Sequence, residues 1–282
     1  MFELMLPALV ACLVLLGIHV YLGLHVLSRG VIFVDLALAQ VAALGTTVAL
    51  LGEAEPGSAH AYFMSLAFTV GGAVLFTLAR TLSDRVPVEA IIGIVYAVAS
   101  AAAVILADQL PHGADEIKEI LVGSLLSVTW PDITRTAAIY AAIGLFHFVF
   151  RERFLLVSTD PDEAKKRGFS IPFWDMLFYL TFGVVITSAV QIGGVLIVFS
   201  FLVIPTVIVA LFFRGLGARL VAGWLVGMLG TALGLLASVQ WDMPTGAAVV
   251  VAFGALLAVA SVVAQFYKPA GVGQLPPGNA HP

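Results

Sequence analysis

Asp35 and Gln40 stand inside RGVIFVDLALAQVAALG, residues 29 to 45, a run otherwise built of apolar and small side chains. A carboxylate in hydrocarbon is costly unless something pairs or solvates it, so an intramembrane acid points to an ion path or gate, or else to a buried ion pair. Arg29 is the basic residue within reach for such a pair. His19, in LGIHVYLGLHVL, can bring an imidazole from the preceding run, or can hydrogen-bond a backbone carbonyl within the bundle. His25 lies near the end of that run and reads as interfacial. Asp35 and Gln40 are i and i+5, about 140° apart on an ideal helix, and converge on one ion only if the helix is distorted. A neutral amide is also a poorer zinc ligand than imidazole. These three residues, Asp35, Gln40 and His19, are the candidate substrate path, and no set of metal ligands is identified.

Other residues shape the chain rather than react. Gly193 and Gly194, after Gln191 in QIGGVLIVF, suit a hairpin or close helix approach, and Pro205 removes a backbone hydrogen bond from its helix. Asp108, His112, Asp115, Glu116 and Glu119 form an acidic cluster that can attract cations. His60 and His147 have no visible partners. No Ser-His-Asp arrangement, HExxH or G-x-x-x-x-G-K-[ST] occurs, and none of the lysines follows a glycine. The chain therefore carries no catalytic residues and cannot cradle ATP phosphates: it is not an enzyme, and any ATP it depends on is hydrolysed elsewhere.

The elements that must position these residues follow from composition. The 282 residues are 61% hydrophobic and 11% charged, with a mean hydropathy of +1.09. Soluble domains carry about a quarter charged residues, so the solvent for this chain is a lipid bilayer. The one cysteine, Cys12, excludes internal disulfides. MFELMLPALV has no basic residue before its apolar stretch, and the first run reads as a retained helix rather than a cleaved leader. Apolar runs lie at 4–28, 30–52, 56–79, 90–107, 136–150, 176–213, 220–241 and 243–267. The 176–213 run is about twice one crossing and folds back near Gln191–Gly194, giving about nine spans. Ile120 to Trp130 is too short to span and reads as re-entrant or interfacial. With the N-terminus out and the C-terminus in, Arg29, Arg80, Arg85, Arg151, Arg153, Lys165, Lys166, Arg167, Arg214, Arg219 and Lys268 fall inside, leaving only Lys118 and Arg135 of the 13 basic residues outside. The fold class is all-α: a polytopic transmembrane bundle over 1–267, with a disordered cytoplasmic tail at 268–282.

One polar loop carries its own structure. In VSTDPDEAKKRGFSIPF, Asp160 caps a helix, Pro161 suits its first position, and Asp162 and Glu163 sit at its positive end. Ala164 follows, Lys165 to Arg167 favour the negative end, and Gly168 ends the helix in a left-handed turn. A mere connection needs neither signal. A short rigid helix between two spans is what a cytoplasmic motor needs in order to grip a membrane protein.

At this point the sequence resembles the ABC-3 family of membrane permeases, which carry zinc, manganese or iron in ATP-driven bacterial importers. The resemblance rests on LSRGVIFVDLALAQVAALG (27–45), ILVGSLLSVTWPDI (120–133), STDPDEAKKRGFS (158–170) and QIGGVLIVFSFLVIPTVIVALFF (191–213). It implies an ABC-importer-like bundle and a permease subunit for a divalent transition metal in the bacterial inner membrane. It also implies a second copy of the chain, a cytoplasmic ABC ATPase that binds the ATP, and an extracytoplasmic metal-binding receptor. The chain itself binds no cofactor, is surrounded by membrane lipid and has no nucleic-acid partner. The resemblance makes 158–168 the helix coupled to the ATPase. Many family members place Asp and His at i and i+4 in the second span. Here Gln40 stands where that His falls and Leu36 where the Asp falls, so the family's metal site does not transfer intact. The alternatives are a siderophore- or cobalamin-type importer permease, and a membrane module that has lost its metal site and transports nothing.

Overall fold

The computed structural model describes residues 2–81, 86–111, 113–123 and 125–266. Among them the regular structure is helical throughout: α1 (Phe2–Arg29), α2 (Val34–Leu51), α3 (Ala59–Thr81), α4 (Val88–Ala107), α5 (Gly113–Val122), a 3-10 turn (Leu125–Ser127), α6 (Trp130–Val149), α7 (Arg151–Thr159), α8 (Pro161–Lys166), α9 (Ile171–Phe212), α10 (Leu216–Trp241) and α11 (Thr245–Phe266). In hydrocarbon every backbone polar group must be satisfied within the segment, which is why the apolar runs fold as helices. Seven of the described helices are long and apolar enough to cross a membrane, or eight if α6 and α7, bent by 77° at Phe150, form one broken span. The expected tail at 268–282, with Lys268, and Arg85 lie outside the described residues.

Helix α9 is the axis of the bundle and is buried along nearly its whole length. It packs on α1, α2, α3, α10 and α11, and α2 packs separately on α3 and α4. Its 42 residues are two helices joined at Gly194, whose backbone (φ 70, ψ 168) is open to glycine and costly for other residues. The two halves run in opposite senses along α1. In the first, Asp175 meets Arg29 at the end of α1. The second starts with Gly193 beside Leu15 and comes down to Gly23, which faces the Leu202 carbonyl and Thr206. The reversal expected at Gln191–Gly194 is therefore present, and Pro205 continues within the second half without leaving helical geometry.

The segment from 120 to 130 does not span. Helix α5 ends at Val122, Gly123 turns with φ +76, and the 3-10 turn leads into α6. This turn is wedged against the reversal of α9: Gly123 lies so close to Gly193 and Gly194 that a Cβ on Gly123 or on Gly194 would overlap backbone. Gly246, at the start of α11, meets the Val122 carbonyl in the same layer.

Candidate functional site

Helix α8 forms as its local signals require. The Asp160 carboxylate accepts the Glu163 N–H at 3.0 Å, and Pro161 occupies the first helical position. The helix ends in a Schellman closure, with Phe169 N–H donating to Ala164 O at 3.0 Å, Gly168 N–H to Lys165 O at 2.9 Å, and Gly168 at φ +79. The Glu163 carboxylate does not return to the cap. It accepts from Arg167 Nε at 3.0 Å, and Arg167 also reaches Glu152 at 3.2 Å. Ala164 is buried against the bundle, while Asp162, Lys165, Lys166 and Arg167 are exposed. The result is a charged knob of about two turns with one apolar foot.

A buried polar network lies directly behind this knob. Ser158, two residues before the α8 cap, donates to the Phe154 carbonyl at 2.8 Å, so its oxygen is free to accept from Arg29 Nε at 2.9 Å and from His25 Nδ1 at 2.8 Å. Arg29 Nη1 then reaches Asp175 Oδ1 at 2.5 Å, and Arg80 Nη1 reaches the same oxygen at 2.8 Å. The Arg29 guanidinium also sits 3.9 Å over the Phe178 ring. His147 bridges Tyr21 and Thr181, at 3.2 and 2.8 Å, and stacks on Phe154 with centroids 4.1 Å apart. One network thus joins α7, next to the knob, to α1, α3, α6 and α9. Arg29 is therefore paired with Asp175 and not with Asp35. His25 is buried rather than interfacial, and His147 does have partners.

The candidate path residues fall in separate neighbourhoods. Asp35 is in the first turn of α2, buried, and neither carboxylate oxygen has a hydrogen-bond partner. Gln40 is buried one turn inward of Ala43 on the same helix. His19 is buried on α1, where Nδ1 bonds the Leu15 carbonyl at 2.6 Å and the ring meets Tyr140 edge-on at 6.0 Å. Its Nε2 has no partner. Helix α1 packs chiefly on α6, α7, α9 and α10, and α2 on α3, α4 and α9. Among the described residues, no three His, Cys, Asp or Glu side chains gather into a metal cage.

At the opposite end from α8, a cavity of about 340 Å³ opens between α2, α3, the 3-10 turn, α6 and the first half of α9. Thr46, Tyr62, Asp132, Arg135, Ser188 and Gln191 supply its polar lining. Arg135 lies 4.6 Å over the Tyr62 ring, and the Tyr62 hydroxyl is bonded to Ser188 at 3.2 Å. Ala43, Thr46 and Leu50 bring the C-terminal half of α2 into the wall, and Gln40 continues the same stripe one turn toward the start of the helix. Asp108, Asp115 and His60 are exposed, and His112 lies outside the described residues.

Reasoning from sequence missed Asp175. Setting the apolar run at 176 leaves this acid just outside it, although it is the lone charge in IPFWDMLFYL and has Arg29 and Arg80 free to meet it. Two basic residues at span ends and one acid at the start of another were the available signal.

A multi-span helical bundle with a locally specified knob on one face defines a polytopic membrane protein. The particular family follows from comparison: the profile of the ABC 3 transport family matches residues 1–265, and the chain belongs to that family. It is 25% identical over 224 residues to a manganese transport system membrane protein of Halalkalibacterium halodurans, covering 76% of this chain and 77% of that one. It is 24% identical over 258 residues to a high-affinity zinc uptake system membrane protein of Haemophilus influenzae, covering 89% and 94%. A chelated iron transport system membrane protein of Yersinia pestis is 25% identical over 220 residues, covering 76% and 73%. Among solved structures, PsaBC from Streptococcus pneumoniae in complex with Fab shares the fold, with a TM-score of 0.76 at 20% identity over 91% of this chain and 90% of that one.

Proposed function

We propose that this chain is the permease subunit of an ATP-driven importer for a divalent transition metal ion in the bacterial inner membrane, and that α8 is where a cytoplasmic ATPase levers the spans. The carrying observation is the junction behind the knob: Ser158, at the root of α8, is held by Arg29 and His25, and Arg29 is held by Asp175 at the start of α9. Force on α8 therefore reaches α1 and α9, and through Arg80 on Asp175 also α3, by buried contacts rather than through a slack loop. The manganese, zinc and iron relatives support the class of cargo.

In this reading the halves of α9 count as two crossings. With α1, α2, α3, α4, α6, α10 and α11 they make nine, which puts the N-terminus outside and the α8 face inside. Arg29, Arg80, Arg151, Arg153, Lys165, Lys166, Arg167, Arg214 and Arg219 then share the cytoplasmic side, as orientation by basic residues requires. Two copies flank a common path. A metal-binding receptor docks outside and releases its ion to the polar outer cavity, and the ion moves inward along α2 past Gln40 toward Asp35. ATP binding and hydrolysis in the partner supply the direction, so the chain needs only brief contacts with the ion and holds no resident cofactor.

The test is elemental analysis of cells lacking this chain and of the same cells expressing it with its ATPase. Manganese, zinc or iron content rises on expression. Unchanged contents of all three overturn the metal reading, and uptake of a metal chelate without the free ion selects a siderophore- or cobalamin-type permease instead.

A further inference from the structure

A second cavity, of about 510 Å³, has no part in the path described above. Helices α6 and α10 both pack on α1, and the cavity is the groove between them, with α1 as its floor. Gly17, Tyr21, Gly144, Phe148 and Trp224 line it, and Arg151 stands at its end on the α7–α8 side. Its polar side chains are occupied elsewhere: Trp224 Nε1 donates to the Gly17 carbonyl at 3.1 Å, and the Tyr21 hydroxyl is bonded to His147 at 3.2 Å. What faces the groove is therefore apolar, except for Arg151.

We propose that this groove holds one acyl chain of an anionic phospholipid, with the lipid phosphate bound by Arg151. Two observations favour a lipid from the leaflet on the α8 side. First, length: the α6 wall from Ala137 to Phe148 rises about 16 Å, roughly half the ~30 Å hydrocarbon core and so one leaflet deep. Second, charge: among the described residues Arg151 has no carboxylate partner. Its guanidinium lies 4.7 Å over the Phe148 ring and donates to the Phe148 carbonyl at 3.4 Å. The adjacent acid, Glu152, is engaged by Arg167 at 3.2 Å. Leu216 and Leu220, from the first turns of α10, line the same groove and leave Arg151 as its one charged lining residue. An acyl chain gains little by leaving other lipid tails for an equally apolar groove. Selection must therefore lie in the head group, where a fixed guanidinium matches a phosphate and a net negative head group adds to the attraction. Gly17 and Gly144 matter because a Cβ on either would enter open space, the space the chain fills.

The experiment uses the complex of this chain with its ATPase in nanodiscs of equal phosphatidylglycerol and phosphatidylcholine, extracted gently and read by native mass spectrometry. The native chain retains phosphatidylglycerol over phosphatidylcholine by about fivefold, the ratio expected for one basic residue at a membrane surface. Arg151→Gln reduces the ratio to that of the bulk lipid. Gly144→Leu, which fills the groove, lowers the total retained lipid. Arg153→Gln, whose guanidinium lies over Phe150, Phe169 and Trp174, leaves both unchanged. Equal retention of the two lipids by the native chain, or an undiminished ratio in Arg151→Gln, overturns the proposal. So does disulfide cross-linking of Gly144→Cys between two copies, which would make the groove a face covered by a second chain.

Discussion

Arg29 Nη1 donates to Asp175 Oδ1 at 2.5 Å, with both side chains sealed from solvent, and this contact closes the end of α1 onto the start of α9. Arg80, about a quarter exposed, shares the same oxygen and can still be solvated from its own side. Arg29 cannot, and its Nη2 already lacks a partner. Removing one member of a buried pair strands the other, whereas removing both often costs little. Asp175→Leu is therefore expected to destabilise the chain by about 3–5 kcal/mol, and the double variant Arg29→Met/Asp175→Leu to recover much of that loss. Thermal unfolding of the purified complex measures both; single and double variants of equal stability contradict the pairing.

Glycine at 194 is required twice, by backbone and by space. Its φ of 70 strains any residue with a Cβ, and that Cβ would meet Val122 C at 2.7 Å and Leu121 O at 2.8 Å. Both neighbours are backbone and cannot move aside cheaply. Gly194→Ala is expected to cost more than about 1 kcal/mol and to unseat the α5 turn from the reversal of α9. Gly254→Ala, where a Cβ meets nothing within 4 Å, is the control. Hydrogen exchange over residues 120–128 reports the unseating, and unchanged protection there counts against the wedge.

These residues also mark what could be read from sequence. The membrane class, the α9 reversal and the whole of α8 were legible because each depends on local chemistry: apolar length, a Gly-Gly pair, a cap and a left-handed stop. The network behind α8 was not. Arg29, Asp175 and Ser158 are more than a hundred positions apart in sequence at the widest, and nothing in the local pattern distinguishes a basic residue that faces water from one folded under a helix. The packing around the path residues was not legible either. Asp35, Gln40 and His19 are neighbours in sequence, but α1 packs chiefly on α6, α7, α9 and α10 and α2 on α3, α4 and α9, and such partner choices are not written in the local pattern.

The α8 cap separates two roles for Asp160. A cap needs an acceptor for the Glu163 N–H, and Asn supplies one almost as well as Asp. Asp160→Ala is expected to cost about 1 kcal/mol locally and to weaken capture of the ATPase. Asp160→Asn should restore capture if the helix, rather than the charge, is what the partner grips. Pull-down of the ATPase by the three forms decides this, and full capture by Asp160→Ala removes the need for a preformed helix.

Asp35 makes the sharpest distinction between structure and transport. Both of its oxygens are buried without a hydrogen-bond partner, an arrangement that costs free energy. If its role were to hold α2 in place, Asp35→Asn would lower stability. If its carboxylate waits for a cation, neutralising it relieves the fold and removes the ion's partner. Asp35→Asn is therefore expected to insert normally, to unfold at the same temperature or higher, and to lose at least about tenfold in metal uptake, equal to about 1.4 kcal/mol of barrier. His19→Ala supplies the contrast: with Nδ1 committed to Leu15 and the ring packed on Tyr140, its loss should lower stability more than it lowers uptake per folded molecule. Uptake assays normalised to the amount of folded complex separate the two, and an Asp35→Asn chain that transports at the native rate excludes the carboxylate from the path.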